Sequence, residues 1–159
     1  MAKEVKTNAM RILDKNNIHY DTVTYVCEEF KDGMQVANML GQDPNMSYKT
    51  LVTKGKSGEY FVFVIPIAKE LDLKKAAKAV GEKSLDMIHV KEINAVTGYI
   101  RGGCTPIGMK KLYKTVVDTS MESLEKVIIS GGRIGSQIIL APKDLISVTR
   151  AKYENITCI

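Results

Sequence analysis

The stretch TGYIRGGCTPIGMKK, residues 97–111, gathers the residue types with the most chemical potential in the chain. Gly102 and Gly103 allow the backbone positive φ and bring its N–H groups against a ligand, while Pro106 stiffens the exit. Such a loop can form an anion nest or an oxyanion hole. The same composition also makes a tight turn between elements, and the loop alone leaves both readings open. Cys104 and Thr105 lie inside it. A catalytic thiolate needs a base or a cation to depress its pKa. Arg101 and Lys110 are near in sequence but no histidine is, so Cys104 reads as a small packed residue before it reads as a nucleophile.

Lys49 is the second candidate, because it stands with Thr50 at the start of the apolar run KTLV. A lysine at a strand mouth can hold a phosphate or polarise a carbonyl as a point charge, and a neighbouring hydroxyl adds a hydrogen bond; the alternative is a lysine that snorkels into solvent. SGGRIGS, residues 130–136, is also glycine-rich, but it lacks the Lys-Ser/Thr ending of a phosphate-binding loop and sits between two strands, so it reads as a hairpin turn. None of these loops carries paired carboxylates, and no Ser-His-Asp set is present. General acid–base catalysis by the usual side chains has no evident provider.

The elements that must position these residues are legible from periodicity. Val5, Ala9, Ile12 and Leu13 predict a helix over 5–16, and IHYDTVTYVC, residues 18–27, reads as strand. Asp32 with Gln35 has capping-box spacing and Gly41 is a C-terminal stop, which gives a short helix over 33–40. YKTLVTKGKSGEYFVFVIP, residues 48–66, predicts a central hairpin whose second strand is buried on both faces. Asp72, Ala76, Ala77, Val80 and Gly81 describe a capped helix with Lys74, Lys75 and Lys78 on its outer side. YKTVVD, KVIIS and QIILAP are further strands, and residues 142–152 a closing helix. The later turns are too short for parallel crossovers, so the expectation is an α+β fold with a mixed, largely antiparallel sheet or barrel and flanking helices.

A length of 159 residues suits one domain, 1–159, with a core built without metals or disulfides. No apolar run approaches a membrane span and the N-terminus lacks the apolar core of a signal peptide, so the expectation is a soluble cytoplasmic protein with no membrane partner. Cys27, Cys104 and Cys158 are odd in number and widely spaced, against a disulfide framework. His19 and His89 are the only imidazoles, and no Cys-x-x-Cys or His-x-x-x-His pair occurs, so no metal site is expected. A net charge of +5 admits an anionic partner without requiring one.

Taken together, KTNAMRILDKNNIHY, GMQVANMLG, YKTLV, LDLKKAAKAVGEK, TGYIRGGCTPIGMKK and SGGRIGSQIILAPKDL resemble, in order and spacing, the YbaK/EbsC family, free-standing relatives of the bacterial prolyl-tRNA synthetase editing domain. The likeness runs from about residue 6 to about residue 150, and its strongest elements are the strand-mouth Lys-Thr and the Gly-Gly-x-x-Pro loop. It implies hydrolysis in trans of mischarged aminoacyl-tRNA, typically cysteinyl-tRNA(Pro), with no cofactor. The implied partners are the acceptor end of tRNA(Pro) and, as a further candidate, prolyl-tRNA synthetase. By the same resemblance Lys49, Thr50 and Gly102 match catalytic positions, and Gly103, Cys104, Thr105 and Pro106 complete the substrate loop. Tyr25 matches an aromatic of the pocket, and Phe30 another when a small gap is allowed. Gln137 stands where some members have aspartate. The resemblance also implies that the substrate's own thiol attacks its ester, which would make catalytic side chains unnecessary. Two rival readings remain: a non-catalytic module that binds the tRNA acceptor end beside a synthetase, and a thiol enzyme using Cys104.

Overall fold

The computed structural model describes residues 6–27, 29 and 31–159. Its first helix, α1, spans Asn8–Lys15, with Thr7 capping it by accepting the Met10 N–H at 3.3 Å. Val5, where the sequence placed the helix start, lies outside the described residues. Strand β1, Asp21–Thr24, occupies only the middle of the expected 18–27 run. Helix α2, Gly33–Leu40, carries the expected capping box: Asp32 Oδ1 accepts from the Gln35 N–H and Gln35 Oε1 accepts from the Asp32 N–H, both at 2.9 Å. Gly41 ends it at φ +65°, the left-handed conformation that glycine takes without steric cost.

Strands β2, Tyr48–Gly55, and β3, Tyr60–Pro66, form the expected hairpin, with Lys49 opposite Ile65 and Thr50 opposite Val64. The continuous apolar run of β3 has a direct cause. Phe61, Phe63 and Ile65 pack toward Ala76, Ala77 and Val80 of helix α3, Leu73–Val80. Val64 belongs instead to a second core, with Ala9, Met10 and Leu13 of α1. Successive side chains point to opposite faces, so a strand covered on both sides must be apolar at every position.

After α3 come β4, Leu85–Met87, the short α4, Ile93–Thr97, and β5, Lys114–Asp118. The chain closes with β6, Val127–Ser130, β7, Ser136–Leu140, α5, Pro142–Thr149, and β8, Lys152–Glu154. One sheet has the order β4-β2-β3-β5-β8, the other β1-β7-β6. The second is antiparallel throughout, whereas β3–β5 and β5–β8 are parallel, so the fold is α+β with a mixed sheet. The closing helix is shorter than the predicted 142–152. It stops at Thr149, where Arg150 takes φ +55° and turns the chain into β8. Ser47, just ahead of β2, makes a parallel bridge to Ile128 of β6 and so ties the two sheets together. Among the described residues no helix is long and apolar enough to cross a membrane.

Candidate active site

A cleft of about 310 Å³ opens beside that bridge. The start of β2 supplies Lys49, Thr50 and Leu51, preceded by Ser47. The α2 entry supplies Lys31, Asp32, Gly33 and Val36. Tyr25 follows β1, Ser130 ends β6, and Ser136 and Gln137 begin β7. The glycine loop contributes Arg101, Gly102 and Cys104.

Local sequence explains why these segments converge. Gly102 sits at φ +86°, and the loop closes where Tyr99 Oη donates to the Ile107 carbonyl at 2.6 Å. Gly103 is pressed against the next segment: a Cβ there would lie 2.7 Å from Arg133 Cα and 2.9 Å from its carbonyl carbon. Tyr25 donates its N–H to the Gly135 carbonyl at 2.9 Å, so the residue after β1 and the β6–β7 turn are held together. The two glycines of the loop thus serve different ends, one conformational and one a matter of space.

Lys49 is half-buried. Burial lowers its pKa below the ordinary lysine value, and the nearby carboxylates Glu70 and Asp32 oppose that shift without cancelling it. Its ammonium is a poorly solvated positive charge in a partly apolar cleft, where electrostatics are stronger than in water. Cys104 presents the opposite case. Burial pushes its thiol up to about 11 despite a hydrogen bond with Thr97, so it is protonated at neutral pH, which argues against the thiol-enzyme reading. Burial likewise raises the Tyr25 phenol, which stays neutral.

Of the residues singled out from sequence, Tyr25, Lys49, Thr50, Gly102, Cys104 and Gln137 line one cleft. Gly103, Thr105 and Pro106 are buried and are not among its lining residues. The Gly103 N–H is committed to the Ile100 carbonyl at 2.9 Å, and the loop residues that line the cleft are Arg101, Gly102 and Cys104. Phe30 lies outside the described residues. Sequence reasoning missed Gln42, whose amide pairs with that of Gln137 across 95 positions, and it treated Asp32 as a cap only. Ser47 was findable, since it precedes Lys49 by two residues and period-two alternation puts both on one strand face. Among the described residues no three His, Cys, Asp or Glu side chains cluster so as to hold a metal ion.

Residues 27–148 match the family model for the aminoacyl-tRNA editing domain. The chain is 42% identical over 153 residues, 96% of its length and 93% of the relative's, to EbsC of Enterococcus faecalis, which is named as a candidate Cys-tRNA(Pro)/Cys-tRNA(Cys) deacylase. It is 28% identical over 101 residues, 64% of this chain, to 17% of the proline–tRNA ligase of Fervidobacterium nodosum. Among solved structures, a candidate trans-editing enzyme for prolyl-tRNA synthetase superposes with a TM-score of 0.84 at 23% identity, covering 98% of this chain and 100% of that one. A hypothetical protein superposes with a TM-score of 0.87 at 22% identity, covering 96% and 100%. These two likenesses concern the fold.

Proposed function

The chain belongs to the aminoacyl-tRNA editing domain family, and from that premise we propose that it is a trans-acting deacylase of cysteinyl-tRNA(Pro) in the cytoplasm. The observation that carries the reading is the cleft itself: Lys49 and Thr50 line it together with Gly102, Gln137 and Tyr25, and among the described residues the one thiol on its wall, Cys104, is held protonated. The name of the Enterococcus relative supports cysteine as the acyl group, and the match to a proline–tRNA ligase supports tRNA(Pro) as its carrier.

An aminoacyl ester is already activated, so positioning and charge can suffice. In this reading the ester carbonyl lies between the Lys49 ammonium and the backbone of the 102–104 loop, and Thr50 adds a hydrogen bond. The substrate thiolate attacks its own carbonyl carbon. A C–S bond forms, the C–O bond to the terminal ribose breaks, and the departing oxygen takes a proton from water. The product is a four-membered thiolactone that water then opens to free cysteine. Lys49 stabilises the oxyanion that develops, a role in which one group commonly accounts for about a hundredfold in rate.

The test is incubation of the protein with cysteinyl-, alanyl- and prolyl-tRNA(Pro), following release of free tRNA. Rapid loss of the cysteinyl ester with the prolyl ester spared is expected. Equal rates on cysteinyl-tRNA and its S-methylcysteinyl analogue, which cannot form a thiolate, would sink the substrate-assisted step. No turnover of any of these aminoacyl-tRNAs would sink the deacylase reading.

A further inference from the structure

Ser47 and Ser136 both line the cleft, yet neither hydroxyl oxygen has a hydrogen-bond partner among the described residues. Ser47 is 5% exposed and Ser136 1%. A hydroxyl enclosed without a partner destabilises the fold, and solvent cannot relieve oxygens so well covered. Nearby polar groups are engaged: Ser130 Oγ accepts from the Gly132 N–H at 3.3 Å, Tyr48 Oη lies 2.7 Å from Ser120 Oγ, and Gln137 is paired with Gln42. Thr105 is a third orphan, but it is not among the residues that line the cleft.

The backbones of both serines are fixed. Ser47 donates its N–H to the Pro44 carbonyl at 3.2 Å and accepts from the Ile67 N–H at 3.0 Å. Ser136 donates to the Arg133 carbonyl at 3.3 Å and accepts from the Gly131 N–H at 2.8 Å. No hydrogen bond holds either side chain at χ1. Serine has three staggered wells, and an orphaned oxygen forfeits no bond on moving between them.

We propose that Ser47 and Ser136 are specificity-determining residues whose hydroxyls bond the polar end of a small aminoacyl side chain, so that the cleft favours a thiol- or hydroxyl-bearing acyl group over an alanyl one. This rests on the deacylase reading above. The enclosure suits it, because Val36, Leu51, Ile67 and Ile128 give an apolar wall within which a few polar groups decide the ligand. A site built to hydrogen-bond its substrate rejects the analogue that lacks the group, since its own polar atoms then stay unpaired.

Three amide-linked probes, the cysteinyl, seryl and alanyl derivatives of 3′-amino-3′-deoxyadenosine, separate the outcomes by calorimetry on the wild type, Ser47→Ala, Ser136→Ala and the double variant. The wild type should bind the cysteinyl and seryl probes more tightly than the alanyl one. Each substitution should remove about three- to tenfold of that preference and leave alanyl affinity unchanged. Thermal stability should hold or rise in the same variants, because alanine removes an unpaired polar atom. An unaltered preference in the double variant overturns the proposal, and so does a lowered Tm with equal loss for all three probes, which marks the hydroxyls as structural. Deacylation of cysteinyl-tRNA(Pro) by the wild type is followed in parallel. If it occurs while the probe preferences stay unaltered, this proposal falls alone; if no aminoacyl-tRNA is hydrolysed, the deacylase reading falls and takes this one with it.

Discussion

Gln42 and Gln137 meet amide to amide: Gln42 Nε2 donates to Gln137 Oε1 at 2.7 Å, and Gln137 Nε2 donates back to Gln42 Oε1 at 3.2 Å. Each amide keeps one N–H and one lone pair, and those of Gln137 stand in a residue that borders the cleft. Gln42→Ala is therefore expected to loosen Gln137 without touching the substrate. A net hydrogen bond of roughly 1 kcal/mol corresponds to about fivefold, so KM for cysteinyl-tRNA(Pro) should rise about fivefold with a smaller change in kcat. Gln42→Glu, which can still accept from Gln137, should fall between. Steady-state kinetics of the two variants check this, and a pure kcat effect would contradict it.

Lys49→Met should cost about a hundredfold or more in kcat/KM while leaving the fold intact or slightly stabilised. The sign follows from the lowered pKa of Lys49. Between its folded value and the ordinary 10.5, the unfolded chain binds more protons, so this group makes stability rise with pH across that window and weakens the fold below it. Removing the charge at neutral pH removes that penalty. Thermal melts at pH 7 and above pH 10 are the measurement: the difference between variant and wild type should shrink at the higher pH.

Rate against pH should climb as the substrate thiol ionises, around pH 8 to 9 for an unperturbed cysteine, and fall again before the ordinary lysine value as Lys49 loses its proton. The Lys49→Met variant should keep the rising limb and lose the falling one. Spontaneous ester hydrolysis, subtracted from each point, sets the baseline.

Gly102→Val and Gly103→Ala should fail for different reasons, and both more severely than Cys104→Ser. At φ +86° any side chain on Gly102 is strained, and a β-branched one more so. At Gly103 even a methyl group meets the Arg133 backbone. The Gly103 variant should show the larger drop in Tm, while Cys104→Ser should stay within tenfold of wild-type turnover. With its thiol pushed up to about 11, Cys104 should also be alkylated by iodoacetamide more slowly at pH 8 than the exposed Cys158. Preferential labelling of Cys104 with loss of activity would revive the thiol enzyme.

What could be read from the sequence was what local physics encodes. The Asp32–Gln35 capping box, the Gly41 and Gly81 stops and the β2–β3 hairpin depend on neighbours a few residues apart, and each stands where its spacing put it. Strand β8 was hidden because three residues are too few to show alternation, and the apolar pattern of α5 ran past the break at Arg150. The parallel pairing of β3 with β5 and of β5 with β8 joins segments far apart in the chain, about which composition says nothing. The cleft divided the same way. Lys49 and the Gly102 loop announced themselves by residue type, whereas Gln42 looked like any polar residue after a helix until the fold brought it to Gln137.

The Ser47–Ile128 bridge joins two hydrogen-bonded sheets, one bearing Lys49 and the other bearing Gln137. The cleft therefore draws its walls from two separate ladders of backbone bonds, so a substitution that shifts the β6–β7 hairpin can move Gln137 while the register that holds Lys49 opposite Ile65 goes undisturbed.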